Sequence, residues 1–199
     1  MGLCAYDDNI IRLSSTRCCD HYLYREGPVV LMIKELIVAA GCFWCVESDF
    51  EKLDGVHEVT SGYAGGVINN PTYSRHGLHT EAVKIEYDPS KITFTQLVEH
   101  FYDNVDYEDG FGQFCDRGES YRPAIWVPED EDEQVVWDLQ PKGSVVPIYV
   151  DDPNFHPSAE SEGHQDYYKK NPIRYNYYRY RCGRDARLQQ LHIEESTWK

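Results

Sequence analysis

One stretch in the first third of the chain constrains the fold more than any other: an apolar run that ends at a glycine and passes into a helical pattern. Residues 36–40 form the run, Gly41 interrupts it, and Cys42 follows directly. Apolar side chains then recur at the spacing of one helix face, at Phe43, Val46, Phe50 and Leu53. This pattern predicts a strand, a tight turn and a helix, with Gly55 as the helix stop.

The predicted turn places Cys42 at the start of the helix, which is a reactive position for a thiol. The backbone N–H groups there have no partner within the helix, and the positive end of the helix dipole favours a negative charge. Both effects lower the pKa of a thiol and raise the fraction of thiolate, which is the nucleophilic form. Cysteines are more often buried as small apolar residues, but the preceding glycine and the helix start favour a nucleophile at Cys42.

From residue 33 onward, the pattern predicts elements in the order strand, helix, strand, strand, helix, strand, helix, strand. The predicted strands cover residues 33–39, 56–63, 82–87, 122–127 and 145–150. Thr93 and Gln96 have the spacing of a capping box and open the second helix. This order predicts an α+β fold, a two-layer sandwich with a split βαβ (ferredoxin-like) core and an irregular C-terminal tail.

Length, charge and cysteine content limit the functional classes. The 199 residues suit one domain with extensions. A net charge of −15 argues against a nucleic-acid partner, because phosphates would repel such a surface. The longest apolar run is too short to span a bilayer, so no membrane association is expected. Seven cysteines, an odd number, and the lack of a signal peptide predict a cytoplasmic location with thiols that are free at rest.

The composition divides the chain into three segments. Residues 1–31 have mixed charge and no sustained periodicity, and we interpret them as an N-terminal extension. Met32 offers an alternative start of the natural chain, directly before the first predicted strand. Residues 32–172 carry the predicted catalytic domain, and residues 173–199 form a basic, aromatic tail. A metal or redox function for the extension is the weaker interpretation, since its cysteines lack the usual ligand spacing.

Six short motifs carry a resemblance to a known family. In chain order they are Gly41-Cys42-Phe43-Trp44, Gly62-Tyr63-Ala64-Gly65-Gly66, Asn70-Pro71-Thr72-Tyr73, Glu81-Ala82-Val83, Asp116-Arg117-Gly118-Glu119-Ser120-Tyr121-Arg122 and His164-Gln165-Asp166-Tyr167. With these motifs the chain resembles the peptide methionine sulfoxide reductases of the A type. The resemblance implies reduction of the S epimer of methionine sulfoxide, free or in proteins. It also implies a reaction without metal or organic cofactor, with electrons usually supplied by thioredoxin or a similar dithiol.

The chemistry of such a reduction agrees with the residues that match the family. A thiolate that attacks a sulfoxide sulfur must displace an oxygen, and this oxygen leaves poorly unless it receives a proton. Glu81 matches the family's catalytic carboxylate, and an apolar pocket would raise its pKa so that it can donate that proton. Tyr73 and Tyr121 match the two tyrosines that hold the oxygen. Asp116 matches a carboxylate of the same pocket.

The resemblance also implies how the reaction ends. Phe43 and Trp44 match the residues that receive the methyl group of the sulfoxide. Methionine is released, Cys42 becomes a sulfenic acid, and a second thiol condenses with it to a disulfide.

The chain departs from the usual pattern of the family at several positions. Thr80 stands where a small apolar residue is common, and the segment 74–80 is shorter than in many relatives. Position 45, a glycine in many relatives, is Cys45 here, and the tail carries the single Cys182. Pocket shape and the route of recycling are therefore the parts that the resemblance determines least.

Two thiols compete for the sulfenic acid on Cys42. Residues three apart on a helix have Cβ atoms about 5–6 Å apart, whereas a disulfide needs roughly 3.5–4.5 Å. A first-turn residue can shift to close that gap, so proximity favours Cys45. We therefore predict a Cys42–Cys45 disulfide, with Cys182 either packed or relaying electrons outward to thioredoxin.

Two other functional classes compete with this interpretation. Cys42, Cys45 and Cys182 have the chemistry of a metal or iron–sulfur site, although a fourth ligand is not evident. Stoichiometric zinc or iron in the purified protein would indicate such a site. Two cysteines three apart at a strand-to-helix turn also occur in general dithiol oxidoreductases. Relative rates on insulin disulfides and on methionine sulfoxide separate that class from a sulfoxide reductase.

Overall fold

The computed structural model describes residues 32–131 and 133–197 of the chain. The proposed N-terminal extension, residues 1–31 with Cys4, Cys18 and Cys19, lies outside the described residues.

The described part contains eight strands and six helices, in an α+β arrangement. The strands are β1 (Lys34–Ala39), β2 (Val56–Ala64), β3 (Thr80–Tyr87), β4 (Gly112–Gln113), β5 (Asp116–Arg117), β6 (Ala124–Trp126), β7 (Ile148–Tyr149) and β8 (His156–Pro157). The helices are α1 (Phe43–Phe50), α2 (Phe94–Asp103), α3 (Glu133–Leu139), α4 (Tyr167–Lys170), α5 (Pro172–Cys182) and α6 (Arg184–Thr197). The predicted element order is therefore present, with shorter strands at β6 and β7.

The main sheet is mostly antiparallel. Its six strands lie in the order β7-β6-β1-β3-β2-β8, and β4 pairs with β5 in a separate two-stranded ribbon. β1 is antiparallel to both β3 and β6, with Val38 opposite Val83 on one side and Ile125 on the other. The pair β6 and β7 is parallel. Because β1 is one of the inner strands, the turn that follows it lies between neighbouring strands rather than at the outer edge of the sheet.

Helices α1 and α2 pack on one face of the sheet and bury the main core. The sheet contributes branched side chains such as Leu36 and Ile85, and α2 contributes Leu97 and Phe101. α2 begins at the predicted capping box, where Thr93 accepts a hydrogen bond from the backbone N–H of Gln96. The opposite face holds a smaller cluster of alanines and Trp126. This packing fixes the end of β1 and the start of α1 against each other.

Two expectations from the sequence are wrong. α1 ends at Phe50 rather than at Gly55, which instead lies in the turn before β2 with φ +98°. The C-terminal tail is not irregular, because it forms the helices α5 and α6, with Gly183 in the left-handed conformation between them. Leu188 and Leu191 of α6 are buried in the main core. These two apolar side chains hold a strongly charged helix against the rest of the protein. Within the described residues, no helix has the length and apolar character needed to cross a membrane.

Candidate active site

The strand-to-helix turn places Cys42 as the sequence predicts, at the residue before the first turn of α1. Its carbonyl oxygen accepts hydrogen bonds from the N–H groups of Cys45 and Val46, at 3.0 and 3.3 Å. Gly41 has φ +81°, and a Cβ atom there would lie 2.5 Å from the Cβ of buried Gln113. Only glycine fits both the conformation and the contact, which explains why the apolar run breaks at this position.

Burial, rather than the helix dipole, dominates the ionisation of the two thiols. Cys42 is 7% exposed and Cys45 is 2% exposed, and both are free. Burial raises the pKa of the Cys42 thiol well above its ordinary value, so the predicted lowering at the helix start is wrong for the substrate-free protein. A hydrogen bond with Cys42 lowers the pKa of Cys45, and the positive charges of Arg184 and Arg179 act in the same direction. Cys45 is thus the more readily ionised member of the pair.

Glu81 lies on β3 beside the start of α1. Its side chain is 3% exposed, and its Oε2 accepts a hydrogen bond of 3.0 Å from the backbone N–H of Phe43. Burial raises the pKa of Glu81 to about 8, and the hydrogen bond from Phe43 opposes this shift. Glu81 is therefore largely a neutral carboxylic acid at neutral pH. When it is ionised, its negative charge raises the pKa of the Cys42 thiol.

Tyr73 and Tyr121 form a hydrogen-bonded pair of phenols that faces Glu81. Tyr121 ends a short 3₁₀ turn, and Thr80 at the start of β3 anchors that turn. The Thr80 hydroxyl lies 3.0 Å from the carbonyl oxygens of both Ser120 and Arg122. The polar residue at position 80, which departs from the family pattern, therefore holds the segment that carries Tyr121.

Asp116 faces the same site from β5, and a residue that the sequence did not indicate holds it there. Tyr178 of α5 donates a hydrogen bond from its hydroxyl to Asp116 Oδ2, and its hydroxyl also hydrogen-bonds to the thiol of Cys42. Burial raises the pKa of Asp116, while this hydrogen bond opposes the shift. Tyr178 thus links the C-terminal helices directly to the nucleophile.

Aromatic side chains form the wall of the site. Trp44 stacks on Tyr167 with ring centroids 3.8 Å apart and donates a hydrogen bond of 3.2 Å from Nε1 to Nδ1 of His164. Burial lowers the pKa of His164, which suits a neutral ring that accepts this bond. The His164 ring also lies 5.1 Å from that of Phe43 and 4.7 Å from that of Tyr73. Because Tyr73 is 46% exposed, the wall is open to solvent on that side.

A buried carboxyl holds the segment that carries His164. Glu47 Oε1 accepts hydrogen bonds from Gln165 Nε2, at 2.5 Å, and from the backbone N–H of Asp166, at 2.8 Å. Gln165 also accepts a 2.9 Å hydrogen bond from the N–H of Ser61 on β2. Glu47 and Gln165 together fix this segment against both α1 and the sheet.

A disulfide lies at the edge of the site. It joins Cys115, in the loop between β4 and β5, to Cys182 at the end of α5. The expectation that all thiols are free is therefore wrong for these two residues. Cys182 also does not join Cys42 and Cys45 in a metal or iron–sulfur site, as that alternative function requires. In the described part of the chain, Cys115, Asp116 and Cys182 have possible ligand atoms within 4.8 Å of one another, but both sulfurs are used in the disulfide.

Residues 34–196 match the sequence model of the peptide methionine sulfoxide reductase family. The chain belongs to that family. It is 40% identical over 163 residues to peptide methionine sulfoxide reductase MsrA 2 of Rhizobium meliloti, covering 78% of this chain and 81% of that protein. It is 44% identical over 149 residues to MsrA of Ligilactobacillus salivarius, covering 70% of this chain and 87% of that protein.

Solved structures of the family have the same fold. Methionine sulfoxide reductase A of Corynebacterium diphtheriae superposes with a TM-score of 0.63 at 29% identity, covering 70% of this chain and 76% of that one.

A longer relative, MsrA/MsrB of Vibrio cholerae, is 41% identical over 170 residues. The alignment covers 79% of this chain and 44% of that protein, so the likeness concerns less than half of the longer protein.

Sequence reasoning within the family pattern missed Tyr178 and Cys115. Tyr178 is one of sixteen tyrosines and lies outside the six motifs, so nothing in its local sequence marked it. Cys115 stands directly before the Asp116 motif, and this adjacency was the available signal. The predicted residues Phe43, Trp44, Tyr73, Glu81, Asp116 and Tyr121 all lie around Cys42 in the structure.

Proposed function

We propose that this chain reduces the S epimer of methionine sulfoxide, free or in proteins, to methionine. Such a peptide-methionine (S)-S-oxide reductase repairs oxidised proteins. One observation carries the proposal: a buried carboxyl that is neutral at neutral pH, Glu81, lies beside the buried thiol of Cys42. Sulfoxide reduction requires this combination of a nucleophile with a proton donor for the leaving oxygen.

The reaction follows from the placement of these groups. Cys42 attacks the sulfoxide sulfur as a thiolate, and Glu81 protonates the oxygen, which Tyr73 and Tyr121 hold through their hydroxyls. The oxygen passes to the cysteine, so one methionine leaves and Cys42 becomes a sulfenic acid. Because burial keeps Cys42 protonated in the empty site, its proton must move to a neighbouring group as the substrate binds. Cys45, whose pKa is lowered and which shares a hydrogen bond with Cys42, is one acceptor for it.

Binding and orientation belong to the aromatic wall. Phe43 and Trp44 receive the methyl group, and the exposed edge of Tyr73 leaves the site accessible to a methionine sulfoxide within a peptide. Asp116, held by Tyr178, completes the polar side of the site.

Cys45 resolves the sulfenic acid in this proposal. The sulfur of Cys45 attacks the sulfur of Cys42, the proton that Cys45 took up passes to the leaving hydroxyl, water leaves, and a Cys42–Cys45 disulfide forms. The hydrogen bond between the two thiols and the lowered pKa of Cys45 support this choice. Peptide mapping of a variant with both Cys115→Ser and Cys182→Ser tests it after one turnover, because the first disulfide cannot then pass to Cys182. A sulfenic acid that persists on Cys42 in this variant, or full thioredoxin-coupled cycling in Cys45→Ser, would overturn the choice.

The remaining parts of the proposal concern electrons, location and organisation. Thioredoxin or a similar dithiol supplies the electrons, and the reaction uses no metal and no organic cofactor. A cytoplasmic location suits the free thiols of Cys42 and Cys45, since a reducing compartment preserves them. We take residues 32–172 as the catalytic domain and residues 173–199 as the recycling tail. The strand order β6-β1-β3-β2, with α1 and α2 as crossovers, supports a split βαβ core of the ferredoxin-like type.

The test uses both epimers of methionine sulfoxide with dithiothreitol as the reductant. The wild-type protein should consume the S epimer and leave the R epimer, and Cys42→Ser should abolish turnover. Cys4→Ser, a matched replacement of a cysteine that has no role in the proposal, should retain full activity. Consumption of both epimers at equal rates, or an active Cys42→Ser variant, would refute the proposal.

A further inference from the structure

The Cys115–Cys182 disulfide differs in accessibility from the thiols at which the chemistry occurs. Cys115 is exposed and Cys182 is half-buried, whereas Cys42 and Cys45 are both almost completely buried. A protein dithiol needs access to a sulfur atom in order to attack it, because thiol–disulfide exchange passes through a mixed disulfide. An external reductant therefore reaches Cys115 far more readily than it reaches the Cys42–Cys45 pair.

The disulfide is also connected to the nucleophile through a short series of contacts. Cys182 Sγ lies 3.8 Å from Asp116 Oδ2, which accepts the hydrogen bond from Tyr178, and Tyr178 hydrogen-bonds to Cys42. Tyr178 and Cys182 are four residues apart on α5, and therefore lie on the same face of that helix. Two side chains, those of Asp116 and Tyr178, separate the exposed disulfide from the buried thiol.

We propose that Cys115 and Cys182 form a second redox centre, which takes the oxidising equivalents from the Cys42–Cys45 pair and presents them to the external dithiol. This inference rests on the proposed function, and it assigns Cys115 a role that neither its sequence motif nor the family resemblance gave it. In the structure, Cys42 and Cys45 are thiols and Cys115 and Cys182 are bonded. That combination corresponds to the state of the cycle in which the oxidising equivalents have passed to Cys115 and Cys182 and the external dithiol has not yet reduced their disulfide.

Atoms and electrons balance in two exchanges. In the first, the reduced Cys182 attacks the Cys42–Cys45 disulfide as a thiolate, and Cys115 then attacks the mixed disulfide. Two electrons pass to the catalytic pair, which returns to two thiols, and the Cys115–Cys182 bond forms. In the second, an external dithiol attacks Cys115, Cys182 leaves as a thiolate, and the second thiol of the reductant completes its own disulfide. No further oxidant or reductant is needed.

The local geometry gives the second exchange a direction. The backbone N–H of Cys115 donates a hydrogen bond of 3.1 Å to Cys182 Sγ, and such a donor stabilises negative charge on that sulfur. Cys182 is therefore the better leaving group, and exposed Cys115 is the better target. The Asp116 carboxylate lies beside both sulfurs, 3.8 Å from Cys182 Sγ and 3.7 Å from Cys115 Sγ, so the backbone N–H is what distinguishes them. Gly183 follows Cys182 in the left-handed conformation with open space around it, so the end of α5 has room to turn.

The amount of methionine formed per protein molecule in the absence of reductant tests the second redox centre. Fully reduced wild-type protein is freed of reductant and given excess S epimer. It should form about two equivalents of methionine, because two dithiol pairs can each be oxidised once. Cys115→Ser should form about one equivalent, at the wild-type rate for that first equivalent. Retention of the first equivalent also shows that the variant is folded. Cys4→Ser should behave as wild type.

Thioredoxin-coupled turnover provides the second readout. We expect it to fall by about tenfold or more in Cys115→Ser and in Cys182→Ser, while turnover with the small reductant dithiothreitol is retained in Cys115→Ser. Two equivalents of methionine in Cys115→Ser, or thioredoxin-coupled turnover at the wild-type rate, would overturn the second centre and leave the disulfide as a structural link. Absence of even the first equivalent in wild-type protein would instead contradict the proposed function.

Discussion

At the scale of single residues, Glu81 determines how the site responds to pH. Burial raises its pKa to about 8, so the carboxyl is protonated below this value and loses its proton as the pH rises through it. The step that forms methionine needs the protonated form. The single-turnover rate should therefore decline above a pH of about 8.

Replacing this carboxyl tests the same point chemically. Glu81→Gln should slow single-turnover formation of methionine by roughly a hundredfold or more, the usual scale for a lost general acid. The decline at high pH should also disappear, because the amide has no proton to lose in this range. Glu86→Gln, on the same strand but partly exposed, serves as the control and should keep the wild-type profile. An unchanged rate in Glu81→Gln would exclude Glu81 as the donor and leave Tyr73 and Tyr121 as the polarising groups.

At the scale of elements, the start of β3 positions the turn that carries Tyr121. Thr80→Val keeps the shape of the side chain but removes the hydroxyl that reaches the carbonyl oxygens of Ser120 and Arg122. The loss of such a hydrogen bond costs about 1 kcal/mol, which corresponds to roughly a fivefold slower reduction step if Tyr121 is displaced. Thr60→Val, on the neighbouring strand β2, is the matched control. Equal single-turnover rates in both variants would show that Thr80 does not position Tyr121.

The contact between α1 and the segment of His164 should make stability depend on pH. Burial raises the pKa of Glu47 to about 7, above the value of 4.5 for an unperturbed carboxyl. Because the folded state binds this proton more tightly than the unfolded state, the free energy of unfolding should fall as the pH rises between these two values. Glu47→Gln removes this proton, so the wild-type protein should lose stability relative to the variant across that window.

Chemical denaturation at several pH values measures this difference. Glu99→Gln, on the exposed side of α2, is a control that should follow the wild-type pH dependence. A constant difference in unfolding free energy between wild type and Glu47→Gln across the window would contradict the assignment.

At the scale of the whole molecule, periodicity and turn signals predicted the central sheet and the helix start at Cys42. These are determined locally, by alternation, by a capping box and by a glycine that no other residue can replace. The C-terminal helices were not predictable in this way, because their apolar residues are sparse and their stability depends on burying Leu188 and Leu191 in a core formed by distant segments. Intrinsic propensity decides little in such a case.

The same distinction applies to the site. The residues that surround Cys42 in the structure could be identified from the sequence, since each belongs to a short motif of neighbouring residues. Tyr178 and the Cys115–Cys182 pair depend on how α5 folds back over the site, with a separation of 67 residues between the two bonded cysteines. The raised pKa of Cys42 could not be predicted from the sequence either. The helix start suggested a lowered pKa, and only the packed structure shows the burial that raises it.

The central claim is that the oxygen of the S sulfoxide passes to the sulfur of Cys42, and trapping this oxygen tests it most directly. A variant with both Cys45→Ser and Cys182→Ser lacks the candidate resolving thiols, so its sulfenic acid should persist. After one exposure to the S epimer and then to dimedone, which alkylates sulfenic acids, peptide mass mapping should find the adduct on Cys42, with one methionine formed for each adduct. Methionine formed without an adduct on Cys42, or an adduct on another cysteine in its place, would contradict the claim.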